Sequence, residues 1–343
     1  MSAGPGERHG VVTGGTWCAD HNKIVPHWPG EDEVVEILSE EVRGGGSACN
    51  LAIDLKRLDP DLAVSTIGLV GDDADGDILL GEAKAVGIAC EALQTVPGAR
   101  TAYTDAFTSS GSGRRTHLYH AGTSDLLTPD HFDFSAVSAR FLHLGLPGIH
   151  PRLDAPWQGD ANGWVTVLKK ARAAGIATNL ELCSIPAERL TGLVRPCLAH
   201  LDMLIVNDFE ITAIAGRAKG HEGDADAEEC LAAAREVLGL GAMDLVAVHF
   251  PGGAIALTRN GDAIRKPSVA VPAEAIVGAN GAGDAFAAGM LYAIHEGRGL
   301  DEAVTLGHAA AAASLRSLGT TDAVEPWRRC LEIASQWGWR EPI

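Results

Sequence analysis

The stretch Gly278-Ala279-Asn280-Gly281-Ala282-Gly283-Asp284-Ala285-Phe286 sets glycines and one carboxylate directly ahead of an apolar run that continues to His295. A glycine-rich turn that opens a helix presents unpaired backbone N–H groups at the positive end of the helix dipole, a ready site for phosphate charge. Asp284 falls in the first turn of that helix. A carboxylate there can take a proton from an attacking hydroxyl, and aspartate is ordinarily ionised at neutral pH, so the sequence predicts a base that needs no shifted pKa. The plain alternative is an aspartate that only complements the dipole. On this stretch alone the two readings stand level.

Such a turn needs a scaffold, and the rest of the chain describes one. Short apolar runs ending in glycine, asparagine or aspartate alternate with stretches of helical periodicity, the pattern of strand–helix units around a mostly parallel sheet. Val11–Thr13, Val64–Leu69, Arg140–Leu144, Ile176–Leu180, Met203–Val206 and Leu245–Val248 are predicted strands. Ala48–Leu58, Asp75–Val86, Gly163–Ala174, Ala225–Leu238, Gly283–His295 and Leu300–Leu318 are predicted helices, with apolar residues at three-to-four spacing. Ile24–Val42 and Thr95–Tyr119, the latter with the turn Ser109-Ser110-Gly111-Ser112-Gly113, break the alternation and are expected to form short antiparallel strands. A lid inserted at about 15–45 and 95–122, or a plain edge hairpin, accounts for them. With no internal repeat or long linker, residues 1–343 are expected to form one domain.

Composition narrows the function. At 46% hydrophobic and 21% charged the chain is globular in character, and its formal charge of -18 disfavours nucleic acid and anionic membrane as partners. Seven cysteines without a C-x-x-C pair point away from disulfides and zinc. Met1 to His9 lacks an apolar leader core, and no run approaches the ~20 apolar residues that span a bilayer, so a cytoplasmic address is expected.

G-A-G-D-x-F opening a C-terminal helix resembles the second signature of the ribokinase (PfkB) family. Gly45-Gly46-Ser47-Ala48-Cys49-Asn50 is similar to the family's G-G-x-x-x-N, and Gly68-Leu69-Val70-Gly71-Asp72-Asp73-Ala74-Asp75-Gly76 to its G-x-x-G-x-D-x-x-G. His120-Ala121-Gly122, Asn207-Asp208-Phe209-Glu210 and His308-Ala309-Ala310-Ala311-Ala312 extend the match in order from about Gly14 to Val324. The resemblance implies a doubly wound, mostly parallel α/β sheet flanked by helices with a small β-lid, and ATP-dependent phosphorylation of a sugar or related polyol. It implies Asp284 as general base, with the backbone of Gly281, Ala282 and Gly283 as anion hole. Asp20, Gly45, Gly46 and Asn50 correspond to sugar contacts, a carboxylate at Asp20 being able to accept from adjacent hydroxyls. A turn aspartate and a helix-capping region are their plain alternatives. Asn207 and Glu210 match N-x-x-E, which reaches Mg²⁺ through water, although a polar residue followed three later by glutamate is also an ordinary cap. Asn179 corresponds to a phosphate contact, Gly252 and Gly253 to the nucleotide loop, and His308 to the adenine pocket or equally to a plain helix histidine.

Two departures matter. Gly278-Ala279 replaces the family's Asp-Thr, which leaves potassium activation in doubt, and His249-Phe250-Pro251-Gly252-Gly253 replaces T-x-G-x-x-G, which leaves the register of the nucleotide loop open. His117 and His120 should lie on opposite faces of a strand, Arg114-Arg115 should be a solvated pair, and Trp17 is expected in packing rather than on a sugar. Lid strands of the family pair between subunits, which implies a homodimer as a possibility. A nucleoside kinase, a sugar-phosphate kinase and a binding protein without turnover are the competing functions.

Overall fold

The computed structural model describes residues 8–217, 223 and 226–343. In chain order its elements are β1 (Val11–Gly15), β2 (Cys18–Val25), β3 (Ser39–Gly45), α1 (Ser47–Leu58), β4 (Val64–Gly71), α2 (Ala74–Ala85), β5 (Ala89–Val96), β6 (Tyr103–Ser109), β7 (Arg115–His120) and β8 (Phe141–Gly145). There follow α3 (Pro151–Asp154), α4 (Gly163–Ala173), β9 (Ala177–Leu180), α5 (Ala187–Val194), β10 (Met203–Asn207), α6 (Asp208–Ile214), α7 (Ala227–Leu240), β11 (Leu245–Phe250), β12 (Gly253–Thr258), β13 (Ala263–Pro267), α8 (Ala282–His295), α9 (Leu300–Ser314) and α10 (Trp327–Trp337).

A nine-stranded sheet in the order β13-β12-β11-β10-β9-β8-β1-β4-β5 forms the centre. Its strands are parallel from β11 to β5, and the β11–β12 and β12–β13 pairs are antiparallel. Continuous apolar strands such as Leu245–Val248 require cover on both faces. One face buries Leu51 and Leu55 of α1, Phe286 and Leu291 of α8 and Leu306 of α9. The other buries Trp164 and Leu168 of α4, Ile211 of α6 and Leu231 and Val237 of α7. The chain winds outward from β1 through β4 to β5, then restarts at β8 on the other side of β1, which makes the fold doubly wound. Ligands bind at such a reversal, beyond the carboxyl ends of the strands.

The antiparallel strands expected within Ile24–Val42 and Thr95–Tyr119 form a second sheet of four strands, ordered β3-β2-β6-β7. Two details differ. The β2–β6 pair is parallel, and Thr95 lies in β5 of the main sheet instead of joining the small one. The helix expected to reach Leu318 stops at Ser314, because residues 315–321 turn back toward the glycine loop, where Val277 N–H bonds Leu315 O. Ala225 and all but the last two residues of Met1 to His9 lie outside the described residues. Among the described residues no helix is long and apolar enough to cross a membrane.

Candidate active site

The carboxyl ends of β9, β10 and β11 and the N-terminus of α8 converge on one cavity. Gly281 caps α8 with φ 75°, a left-handed conformation that favours glycine, and a Cβ there would lie 2.3 Å from Thr320 O. That cap leaves first-turn N–H groups facing the cavity with Asp284 among them. Asn50, on the first turn of α1, donates from Nδ2 to Asp284 Oδ2 at 2.9 Å. Its Oδ1 accepts from Thr320 Oγ1 at 3.0 Å. Asp20 on β2 comes from the opposite side. A Cβ on Gly45 would fall 2.3 Å from Asp20 Oδ2, so the bare glycine backbone is what leaves room for that carboxylate. Gly46, with φ 86°, turns the chain into α1. Asp20, Gly45, Gly46, Asn50, Gly281, Gly283 and Asp284 are therefore brought together.

The expectation that Asp284 is an ordinary ionised carboxylate is not met. Burial and the neighbouring Glu181 carboxyl push its pKa well above the usual carboxylate range, against the opposing effect of Asn50. Asp20 is raised to about 6, chiefly by burial, with Arg115 opposing and Asp284 adding to the rise. Glu181 lies just beyond β9, forms a hydrogen bond with Asp284, and is raised to about 7 by burial. Its Oε2 is bonded to Nε2 of the fully buried His143.

Asn179 does not reach the cavity. It is 0% exposed, its Oδ1 accepts from Ile205 N–H at 3.1 Å, and its Nδ2 meets His143 Nδ1 at 3.0 Å. Those bonds hold it beneath Glu181, away from any phosphate.

A cavity of ≈ 180 Å³ is lined by Glu181, Asn207, Glu210, His249, Gly283 and Asp284. Asn207 and Glu210 form the reciprocal cap of α6, with Asn207 Oδ1 accepting from Glu210 N–H at 2.8 Å and Glu210 Oε2 from Asn207 N–H at 3.0 Å. Capping and cavity lining thus coexist in the same two residues. Next to it lies a larger, mainly apolar cavity of ≈ 350 Å³, reached past His249, Gly283 and Phe286 and walled by Val271, Ile276 and His308. His308 is 4% exposed and its Nε2 has no hydrogen-bond partner among the described residues. A hydrogen bond to the Lys266 carbonyl occupies the other ring nitrogen, and burial pulls the pKa down to about 3.

Gly252 and Gly253 are not the wall of this cavity; His249, Phe250 and Pro251 are. Gly253 instead opens β12 opposite Pro267, where a Cβ would sit 2.4 Å from Lys266 O. Trp17 is 1% exposed and donates to Thr66 Oγ1 at 2.8 Å, so it packs as expected. His117 and His120, three positions apart on β7, lie on its opposite faces as expected, and His120 stacks on Tyr103. Arg115 is not a solvated partner of Arg114. It is half-buried, donates to Thr108 Oγ1 at 3.0 Å and acts electrostatically on Asp20. Sequence reasoning missed Glu181, which lines the cavity, and the residues bonded behind it, His143 on Glu181 and Thr320 on Asn50.

The match to known proteins follows the same outline. The model of the pfkB family carbohydrate kinases matches residues 9–328. The chain belongs to that family. It is 26% identical over 282 residues to an ATP-dependent ribose-1-phosphate kinase of Halopiger xanaduensis, covering 82% of this chain and 83% of that one. Adenosine kinase of Schizophyllum commune is 26% identical over 338 residues, covering 91% and 90% of the two chains. Ribokinase of Thermotoga maritima superposes with a TM-score of 0.77 at 21% identity, over 96% of this chain and 99% of its own.

Proposed function

We propose that the protein transfers the γ-phosphoryl group of ATP to a hydroxyl of a sugar or closely related polyol, with Asp284 as the general base. The observation that carries this reading is the junction of Asp284, Asn50 and Asp20 at the N-terminus of α8. The acceptor hydroxyl, oriented by Asp20 and Asn50, attacks the γ-phosphorus. As the new O–P bond forms, the proton passes to Asp284, and the electron pair of the broken P–O bond leaves with ADP. First-turn N–H groups of the 281–283 loop stabilise the charge developing on the phosphoryl oxygens.

The larger cavity suits a nucleobase, with apolar walls and a His308 ring nitrogen that has no partner among the described residues. Oxygen donors at Glu181, Glu210 and Asp284 suit a hard divalent cation, and Mg²⁺ bound there through water would neutralise phosphate charge. The four-stranded sheet acts as the lid, bringing Asp20 onto the acceptor and excluding water, which competes with the sugar as phosphoryl acceptor. Gly278, in place of an acidic side chain, supports independence from potassium. Val34 at 95% and Leu118 at 53% exposure leave apolar surface on the small sheet and the loop after β2, which a second copy of the chain can cover. We place the enzyme in the cytoplasm.

A sugar phosphate is the second reading for the acceptor, favoured by Arg115 beside Asp20. ADP release measured with ribose, fructose, adenosine and ribose 1-phosphate, for wild type and Asp284→Asn, tests the reading. The variant is expected to lose roughly 10²–10⁴ in rate. Equal turnover by both removes Asp284 from the mechanism, and no turnover with any acceptor makes the chain a binding protein.

A further inference from the structure

Along β11 the side chains of Leu245 and Ala247 point to the face that α8 covers, and the same alternation carries His249 to that side where the strand leaves the core. The imidazole comes to rest on the first turn of α8. A Cβ on Gly283 would lie 3.2 Å from His249 Cε1 and 3.5 Å from its Nε2, so the bare glycine is what lets this side of the ring approach the backbone. Phe286 flanks the ring at 5.0 Å between centroids, and His308 follows at 5.1 Å from Phe286. The three rings run in a row along the wall of the larger cavity. His249 is half-buried, and among the described residues no hydrogen bond reaches either of its ring nitrogens.

The cavity of ≈ 180 Å³ at Asp284 and the apolar cavity of ≈ 350 Å³ have His249 and Gly283 as their common wall residues. A nucleotide whose base fills the larger cavity and whose terminal phosphoryl group reaches Asp284 must pass between these two. With the γ-phosphoryl group at the N-terminus of α8, the group in the neck is the β-phosphate. An imidazole carries an N–H in either charge state, and a phosphate oxygen only accepts, so the ring is matched to that group whether neutral or protonated. We propose that His249 holds the β-phosphate in the neck, donating from the Nε2 side of its ring to one phosphate oxygen while the first turn of α8 serves the γ-phosphoryl group. The assignment rests on the reading of the two cavities as nucleobase and transfer sites. It makes His249 a residue that counts phosphates, meeting ADP and ATP but not AMP. Hydrogen bonds to an ionised acceptor are the strong ones, so the contact carries a measurable share of the affinity. The plain alternative is a ring that packs on Phe286 and shapes the cavity without touching the nucleotide.

Titration calorimetry of AMP and of ADP, at a fixed excess of Mg²⁺ and without any acceptor, separates the two for wild type, His249→Leu and His249→Gln. Leucine fills the space without a donor, whereas the glutamine amide returns an N–H to the neighbourhood of Nε2. His249→Leu is expected to weaken ADP about ten- to hundredfold, the worth of a hydrogen bond to a charged group, and AMP by less than about twofold. His249→Gln is expected to hold ADP within about fivefold of wild type. A loss for ADP no greater than the loss for AMP in His249→Leu overturns the proposal. So does His249→Gln binding ADP as weakly as His249→Leu, since the effect is then one of shape and not of a lost donor. Wild type that binds neither nucleotide removes the reading of the two cavities and this contact with it. Wild type that binds both leaves that reading standing, and the variants then decide the contact alone.

Discussion

Asn50 and Asp284 are joined across 234 residues of chain by a hydrogen bond of 2.9 Å from amide to carboxylate. The same amide accepts from Thr320, so α1, α8 and the loop after α9 are fixed to one another at the point where chemistry is proposed.

Removing that donor leaves Asp284 with its negative neighbours. Asn50→Ala is expected to lower kcat/KM by about ten- to hundredfold, the worth of a hydrogen bond to a charged group. Asn50→Asp should be worse, because it adds a further carboxyl beside Asp284. Steady-state kinetics of the two variants decides this, and a better enzyme from Asn50→Asp than from Asn50→Ala contradicts the electrostatic account.

Gly45→Ala tests whether Asp20 is placed by the absence of a side chain. The new Cβ would fall 2.3 Å from Asp20 Oδ2 and must displace the carboxylate. KM for the acceptor is expected to rise about ten- to hundredfold, the range of overpacking energies converted to binding. The Kd of ATP should not change, since the nucleotide cavity is walled by other residues.

Asp54 supplies a stability test. It is fully buried on α1, neither carboxyl oxygen has a hydrogen-bond partner among the described residues, and burial raises its pKa well above the usual carboxylate range. The folded state therefore holds a proton that the unfolded state releases near pH ~4. Stability is greatest below that pH and falls as pH rises toward the folded pKa, by up to ~1.4 kcal/mol per unit for one proton. Asp20, Glu181 and Asp284 act with the same sign, so the difference between wild type and Asp54→Asn is the quantity to measure. Denaturant unfolding across pH 4 to 8 is expected to show a shallower fall for Asp54→Asn, and parallel curves would exclude Asp54 as the source.

Much of this arrangement was legible in the chain because its signals are local. Asp284, Gly281 and Asn50 announce themselves by glycine turns opening apolar helices, and β10 and β11 by continuous apolar runs. The β12–β13 hairpin also left a signal, since Asn260-Gly261 lies between its strands and favours a tight turn. Glu181 was harder. Two residues past Asn179, it continues the same side of the strand beyond its end, but only the fold shows that this side faces Asp284. The raised pKa of Asp284 is not a property of its local sequence at all, because both of its main causes, burial and Glu181, arise from tertiary packing.

His308 bears on the choice of nucleotide. With one ring nitrogen bonded to the Lys266 carbonyl and a pKa of about 3, the neutral ring keeps its proton there, and Nε2 faces the apolar cavity as an acceptor without a partner. Such an atom matches an exocyclic amine, as in adenine, and is mismatched to a base that offers a carbonyl in its place. His308→Leu is expected to raise KM for ATP by about three- to tenfold, the net worth of a neutral hydrogen bond, with kcat nearly unchanged because the ring is remote from the acceptor. ITP, which carries a carbonyl where ATP has the amine, should gain relative to ATP in the variant. A ratio of kcat/KM for ATP over ITP that is the same in both proteins would show that the ring packs against the base without reading it.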